Sequence, residues 1–520
     1  MACGRERAGL LHAAAFGVLI FCQAAQASEG LLWFEEGQPS ASARQALGLL
    51  SSAAEHGLEA KDYAVPRARH ALSSGAPLPR IDPSTLAMID AELTAAMERY
   101  LGDLHRGRVD PRAIHHDFRR TTGDEFDPAQ QLRAALASRD VARAVQEAVP
   151  QLPQYDRLRT ALGRYRDLVD HAAWRQALRP LPWGPQGRGV LEPGGVYEDL
   201  PRLADRLSAL GDLPAESKRP PAYEGALVDA IRRFQHRHGL PADGRVGART
   251  FAQLEVQPAV RLRQIELTLE RLRWTPLLRG RRTVFINVPE FVLRAYEVQD
   301  GRIRMREEMK VVVGKALRTR TPLFDEDLRF IEFSPYWNVP PSISRGELVP
   351  RLRRDPSYFL RQGFEFVGAD GRVETRLSGA GLEAVLAGKW RIRQRPGPEN
   401  ALGDIKFVFP NSDNIYLHHT PATRLFERER RDFSHGCIRV EKPVALARFV
   451  LAGQRDWNED RIRTAMSAGQ STTLRLAEPV PVVIAYGTAL VKQGSLHFFD
   501  DIYGLDRLLD AALRARPSTR

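Results

Sequence analysis

Cys437 lies in the run Ser434-His435-Gly436-Cys437-Ile438-Arg439, and His418 precedes it by 19 residues, at the end of Tyr416-Leu417-His418. A thiol with a histidine within reach can carry out acyl transfer. A thiolate attacks a carbonyl, and the imidazole takes its proton and later returns it to the leaving amine. Pairing with an imidazole can lower a cysteine pKa from about 8.5 into a range of roughly 3.5–7.5. Gly436 before the nucleophile permits a tight turn whose backbone N–H groups could face a developing oxyanion. Two other readings use the same residues. His418, His419, His435 and Cys437 could hold a metal, although adjacent histidines on a strand point to opposite faces, so at most three converge. Alternatively, Cys437 is a buried, inert thiol with histidines packed around it.

The rest of the cysteine inventory bears on that choice. Three cysteines in 520 residues exclude a disulfide-rich scaffold and a protein with several Cys-ligated zinc sites. Cys3 and Cys22 fall in the first 27 residues, where Arg5 and Arg7 precede a mainly apolar run from Leu10 to Cys22 and then Ala25-Gln26-Ala27. That is the layout of an export signal cleaved before Ser28. The run is short for a membrane span, which needs about 20 residues, so an uncleaved anchor is the alternative. The expectation is an exported protein, in a bacterial periplasm, whose mature chain has the single thiol Cys437. A free thiol in an oxidising compartment risks oxidation, which favours a reactive role for it.

The formal charge of +12 comes from 76 basic residues, of which only eight are lysines. Either this is a solvated surface, or it attracts an anionic polymer. The basic residues form no nucleic-acid motif, so nucleic acid is not expected as a partner, and cell-wall carboxylates are the better candidate.

These residues must be positioned by what precedes them. Apolar residues recur at three- and four-residue spacing from Ser40 to about Leu178, as in Ala43, Ala46, Leu47 and Leu50, then Leu86, Ile89, Leu93 and Met97. This predicts a helical domain over 28–180 with no chemistry of its own. Pro180, Pro182 and Pro185 mark a linker. Over 190–256, three short helices are expected. Leu200, Leu203, Leu207 and Leu210 share a face ended by Gly211, and Leu227, Ala230, Ile231 and Phe234 share another. From Thr283 the period becomes two. Thr283–Val298 and Ile303–Gly314 read as a hairpin, followed by strands at Leu328–Tyr336, Ile405–Phe409, Asn414–His418, Val480–Leu490 and Ser495–Phe499. A helix is expected at Glu441–Ala452, and residues 344–390 read as an insertion. The fold class is multidomain α+β, with a mostly β domain over 260–505 and a tail over 506–520.

Phe234-Gln235, His238-Gly239-Leu240, Asp243-Gly244, Gly247 and Thr250 resemble the three-helix peptidoglycan-binding domain of cell-wall enzymes. The alternative is that these glycines only serve turns and His238 ends a helix. His418, fifteen intervening residues and Ser434-His435-Gly436-Cys437-Ile438-Arg439 resemble the signature of L,D-transpeptidases with a YkuD-type catalytic domain. Other stretches narrow this to the large YcbB-like subgroup. They are Leu104 to Pro111, Gly314 with Thr321-Pro322, Tyr336 to Pro341, Trp390 to Gly397, Asn400 to Gly403, Lys406 to Asn411 and Asp500 to Gly504. The resemblance implies a scaffold domain, a peptidoglycan-binding domain and a catalytic domain whose insertion forms a capping lid.

It also implies roles. Cys437 would be the nucleophile toward the L-centre of diaminopimelate in a tetrapeptide stem, expelling D-Ala, with His418 as base and acid. The N–H groups of Gly436 and Cys437 would form the oxyanion hole. His435 and Arg439 would shape the loop and contact substrate, with Tyr416, Ser434, Trp337 and Asn338 lining the pocket. A second stem's amine would resolve the thioester into a 3→3 cross-link. No metal or organic cofactor is implied, and carbapenems would acylate Cys437. His419 has no implied role, and the group orienting His418 is open, a backbone carbonyl being sufficient. Partners would be peptidoglycan and other cell-wall synthesis proteins, with a membrane only if the signal is uncleaved. Hydrolysis, or attachment of a protein to the wall, are alternative fates of the thioester. A non-catalytic wall-binding scaffold is a more distant alternative.

Overall fold

The computed structural model describes residues 30–36, 38–73, 82–114, 126–181, 189–217, 221–274, 280–300, 302–316 and 319–516. The expected export signal and the linker residues Pro182 and Pro185 lie outside the described residues. Among the described residues, no helix is long and apolar enough to cross a membrane.

The N-terminal region is helical for the reasons its spacing gives. Ser40 caps Ala41–Ser51, its hydroxyl accepting the Ala43 N–H at 3.1 Å. Asp82 caps the long helix Pro83–Arg106, with proline at its first position. Their apolar faces, including Ala43, Ala46, Leu86, Ile89, Leu93 and Met97, share one core with Val141 and Ala144. The long helix stops at Gly107, where a side chain would overlap the Trp274 indole. The helix Pro258–Trp274 therefore approaches this point closely, and its buried Glu270 accepts the Val109 N–H at 3.3 Å while pairing with Arg273 at 2.7 Å.

Leu200–Leu210, Ala226–Arg237 and Ala248–Glu255 form the second unit, with Leu203, Leu207, Leu227, Ile231 and Phe234 in its core. Gly211 ends the first helix in the left-handed conformation at φ 80°. The Gln235 amide accounts for the sequence motif: it donates to Asp243 at 2.8 Å and to the Arg245 carbonyl at 2.9 Å, and it accepts the Gly244 N–H at 2.9 Å. His238 is the buried C-cap of Ala226–Arg237, its ring bonded to the Phe234 carbonyl at 2.7 Å. These motif residues knit a turn.

The β domain is a sheet that closes on itself. Its strands are β1 (Arg282–Asn287), β2 (Val292–Gln299), β3 (Arg302–Gly314), β4 (Phe324–Phe333), β5 (Ile405–Val408), β6 (Leu417–His418), β7 (Asp432–Ser434), β8 (Ile438–Val440) and β9 (Thr472–Ala485). The order is β7-β3-β8-β6-β5-β4-β9-β1-β2, and β2 pairs back onto β3. Most pairs are antiparallel, but β6 with β8, β9 with β1 and β7 with β3 are parallel. Val284, Ile286, Val311, Ile331, Phe407, Leu417, Ile438 and Val482 fill the interior. The single strand expected over Thr283–Val298 is two strands. Pro289 sits in a tight turn at Val288–Glu290, Phe291 takes φ 57°, and the chain reverses so that β1 and β2 pair.

The insertion carries its own four-stranded sheet of Trp337–Asn338, Trp390–Gln394, Phe364–Gly368 and Val373–Glu374. Val339, Leu348, Leu352, Phe359, Phe366 and Ile392 form a core separate from the barrel. Two late segments also differ from expectation. Ala489–Lys492 and Ser495–Phe498 form a hairpin outside the barrel, where Ala489, Leu496 and Phe498 pack with Tyr155, Leu158, Ile265 and Leu269. The segment expected as a tail is the helix Leu505–Ala515. Its Leu509 and Leu513 pack on Leu267 and Trp274, and Arg516 pairs with Asp103 at 2.9 Å.

Candidate active site

Parallel pairing of β6 with β8 sets Leu417 opposite Ile438 and His418 opposite Arg439. Leu417 and Ile438 are fully buried in the barrel. Strand alternation therefore sends Tyr416, His418, Cys437 and Arg439 together to the other face. The row continues across the sheet, because Lys406 of β5 lies opposite His418 and Glu332 of β4 lies opposite Lys406.

The loop carrying the thiol is held from behind. Gly436 takes φ 114°, a backbone conformation that other residues adopt only under strain. The Thr321 hydroxyl donates to the Gly436 carbonyl at 2.7 Å, and that of Thr319 donates to the Ser434 carbonyl at 2.9 Å. Thr321 is fixed in turn by the Tyr503 hydroxyl, which accepts its N–H at 3.2 Å and donates to the Gly314 carbonyl at 2.7 Å. Gly314 and Thr321, with Tyr503 far along the chain, are thus one support.

Ser434 departs from expectation. It is buried, its hydroxyl accepts the Gly436 N–H at 3.2 Å and donates to the Cys437 carbonyl at 2.6 Å, so it braces the loop and does not face a ligand. The Gly436 N–H is thereby engaged inside the loop, which leaves the Cys437 N–H as the amide to serve an oxyanion.

His418 is buried, and its Nδ1 donates to the His419 carbonyl at 2.5 Å, the backbone group that orients the ring. Burial, helped by the Arg439 guanidinium, lowers its pKa to about 3, so it is neutral at pH 7. His419 faces elsewhere: its ring bonds Asp404 at 2.6 Å and packs over Gly403. His435 is exposed and bonds Glu347 of the insertion at 2.7 Å, which joins the cap to the nucleophile loop. The three histidine rings thus point to different partners, and the metal arrangement they could have formed with Cys437 is not assembled.

The Cys437 thiol donates to the Asn414 carbonyl at 3.7 Å. Burial raises its pKa, opposed by hydrogen bonds from Tyr416 and by the charges of Lys406 and Arg439. A standing thiolate–imidazolium pair, which the sequence allowed, is therefore not the resting state, because burial keeps both groups neutral. The Arg439 Nε has no partner among the described residues. Trp337 packs on Phe364 in the insertion and Asn338 is exposed there, so the cap positions both. The sequence gives Asp404 no role, and it marks Lys406 only as the start of the stretch Lys406 to Asn411, without a place in the site. Alternation along β5, with Phe407 in the core, was the signal available for Lys406.

Three family models match the chain: "Scaffold domain" over residues 25–162, "Putative peptidoglycan binding domain" over 197–254 and "L,D-transpeptidase catalytic domain" (YkuD) over 281–482. A Haemophilus influenzae protein named "Putative L,D-transpeptidase" is 33% identical over 249 residues, 48% of this chain. The chain spans about half of that relative's length, 49%. Among solved structures, an L,D-transpeptidase from Xylanimonas cellulosilytica is 16% identical, covering 59% of this chain and 100% of its own, with a TM-score of 0.18. A fused Zn-dependent amidase/peptidase/peptidoglycan-binding domain-containing protein from Clostridium acetobutylicum is 12% identical, covering 57% and 100%, with a TM-score of 0.17. At such TM-scores neither structure carries an argument. Over the β domain, the chain is similar to the catalytic domain of L,D-transpeptidases.

Proposed function

We propose that this protein is a peptidoglycan L,D-transpeptidase that forms 3→3 cross-links between tetrapeptide stems through a Cys437 thioester, releasing D-Ala. The observation that carries the reading is the β6–β8 register, which gathers Cys437, His418, Tyr416 and Arg439 on one face. With Nδ1–H committed to the His419 carbonyl, Nε2 of neutral His418 is the basic nitrogen. It takes the thiol proton as sulfur attacks the carbonyl of the L-centre of diaminopimelate. The oxyanion meets the Cys437 N–H. As the C–N bond breaks, His418 returns the proton to the D-Ala amine, leaving a thioester. The side-chain amine of a second stem attacks that thioester, His418 takes its proton, and the sulfur leaves and is reprotonated.

Arg439, with its unpartnered Nε, suits a stem carboxylate. The cap, joined to the loop through Glu347 and His435, would keep water from the thioester. The same thiol is the site at which a carbapenem would acylate the enzyme. The N-terminal sequence supports action in a periplasm, where the peptidoglycan-binding-like unit would meet its polymer. The test is incubation with tetrapeptide-containing muropeptides followed by mass spectrometry. A 3→3 dimer that vanishes in Cys437→Ala is the expected result. Tripeptide without dimer would make the protein a hydrolase, and no turnover by a folded, wall-binding protein would make it a scaffold.

A further inference from the structure

Tyr416 is more than a pocket wall in this arrangement. Its carbonyl accepts the Ile438 N–H at 3.1 Å, which sets it directly beside Cys437 across the β6–β8 pair. From there its hydroxyl and its backbone N–H both reach the sulfur. The ring is held on two sides: Lys406 Nζ lies 4.4 Å from its centroid, and the His418 ring meets it edge-on at 5.7 Å. Lys406 is itself fixed by Glu332, 3.1 Å away, through cross-strand pairing. The thiol, meanwhile, donates to the Asn414 carbonyl, next to which Asn411 bonds both the N–H and the carbonyl of Ile415.

We propose that Tyr416 is a catalytic residue whose hydroxyl holds the Cys437 sulfur by hydrogen bond as its charge develops, and that Lys406 is the positioning residue that polarises the Tyr416 ring. The inference rests on Cys437 being the nucleophile. The proton balance is simple. The thiol proton goes to His418, the sulfur lone pair forms the S–C bond, and the Tyr416 proton stays on its oxygen throughout. A carbonyl such as that of Asn414 can accept from a thiol but repels a thiolate, so ionisation needs a donor in its place. Neutral His418 supplies no positive charge before it accepts the proton, and a donor on the sulfur supplies the missing stabilisation. The cation over the ring makes the hydroxyl a better donor. The charged or titratable groups facing the sulfur are Tyr416, Lys406, Arg439 and His418, and those facing Tyr416 are Cys437, Glu332, Lys406 and His418.

The test is the pH profile of Cys437 alkylation by iodoacetamide in the full chain, followed at the Cys437 peptide by mass spectrometry. Tyr416→Phe should slow alkylation about ten-fold at pH 7.5 and move the profile up by about one pH unit, the effect of losing one hydrogen bond to a charged group. Lys406→Met should slow it about three-fold, with recovery in Lys406→Arg. An unmoved profile in Tyr416→Phe overturns the catalytic role, and an unmoved profile in Lys406→Met overturns the part assigned to Lys406. If Tyr416→Phe loses its circular-dichroism signal, Lys406→Met and Glu332→Gln decide: slowing in both supports the device, and slowing in neither overturns it. Alkylation reads the thiol without turnover. Failure of muropeptide cross-linking by the unmodified protein would therefore count against the proposed function and leave this result standing.

Discussion

Replacing Ser434 by alanine removes one hydroxyl from the back of the nucleophile loop. That hydroxyl makes two bonds, accepting from Gly436 at 3.2 Å and donating to the Cys437 carbonyl at 2.6 Å. Each bond contributes about 1 kcal/mol net, and a buried N–H or C=O left without a partner costs about 1–3 kcal/mol. The 3.2 Å bond is at the weak end and the 2.6 Å bond at the strong end. The sum is about 2–4 kcal/mol, confined to the loop because Thr321 and Thr319 still hold the Gly436 and Ser434 carbonyls. In a chain of several units a global unfolding curve would blur this value. Native-state hydrogen exchange of the peptide containing the Ile438 amide reads it directly, since that N–H bonds Tyr416 within the loop's anchor. The expected acceleration is about 30- to 900-fold, the same energy at 1.36 kcal/mol per decade. Ser434→Thr, which keeps a hydroxyl, should recover most of it. Exchange accelerated less than about three-fold in Ser434→Ala, with an unchanged acylation rate, would refute the bracing role.

Three other outcomes follow from the same contacts. The folded-state pKa of His418 is lowered to about 3 from 6.5, so the unfolded chain binds a proton that the folded one rejects. Stability is full above pH 6.5 and falls as the pH drops through this window, by about 2 kcal/mol from this group at pH 5. His418→Gln should flatten the acid limb of a stability–pH curve, and an unchanged slope would contradict the assignment. The Glu347–His435 pair is exposed, so Glu347→Gln should leave the unfolding midpoint within about 0.5 kcal/mol while hydrogen exchange in residues 344–361 quickens. Unchanged exchange there would show that the pair does not hold the cap. Leu509 is fully buried against Leu267 and Trp274, so Leu509→Ala should lower stability by about 2–5 kcal/mol in thermal unfolding. A loss below about 1 kcal/mol would mean that the C-terminal helix is not part of the core.

Much of the fold is legible because local patterning and tertiary packing agree. Ala43, Ala46, Leu93 and Met97 are buried where helical spacing puts them, and Leu227, Ile231 and Phe234 likewise. Strand alternation places Phe407 and Leu417 inside the barrel, whereas the short strand Ile438–Val440 was not expected. The misreadings share one cause, which is that a partner distant in sequence decided the outcome. Thr283–Val298 is rich in strand-forming residues, yet the turn at Pro289 folds it onto itself. The segment expected as a tail is amphipathic but short, and Leu505–Ala515 becomes a helix in the core because Leu267 and Trp274 receive Leu509 and Leu513. The hairpin Ala489–Phe498 reads as barrel strands, but it pairs only with itself and packs on Tyr155 and Ile265.

The sequence by itself determined the chemistry available. A thiol in a Ser-His-Gly-Cys run, with His418 19 residues before it, pointed to acyl transfer and to a resemblance to L,D-transpeptidases. Residue types and spacing suffice for that, because they fix which groups can exchange protons and electrons. Only the tertiary structure decided how those groups stand. Cross-strand register joined Glu332, Lys406, His418 and Arg439 in one row and put Tyr416 against the sulfur. Burial made His418 neutral and raised the Cys437 pKa, and hydrogen bonding turned Ser434 inward. Desolvation and register depend on atoms brought together from across the chain, and no local window of sequence contains them.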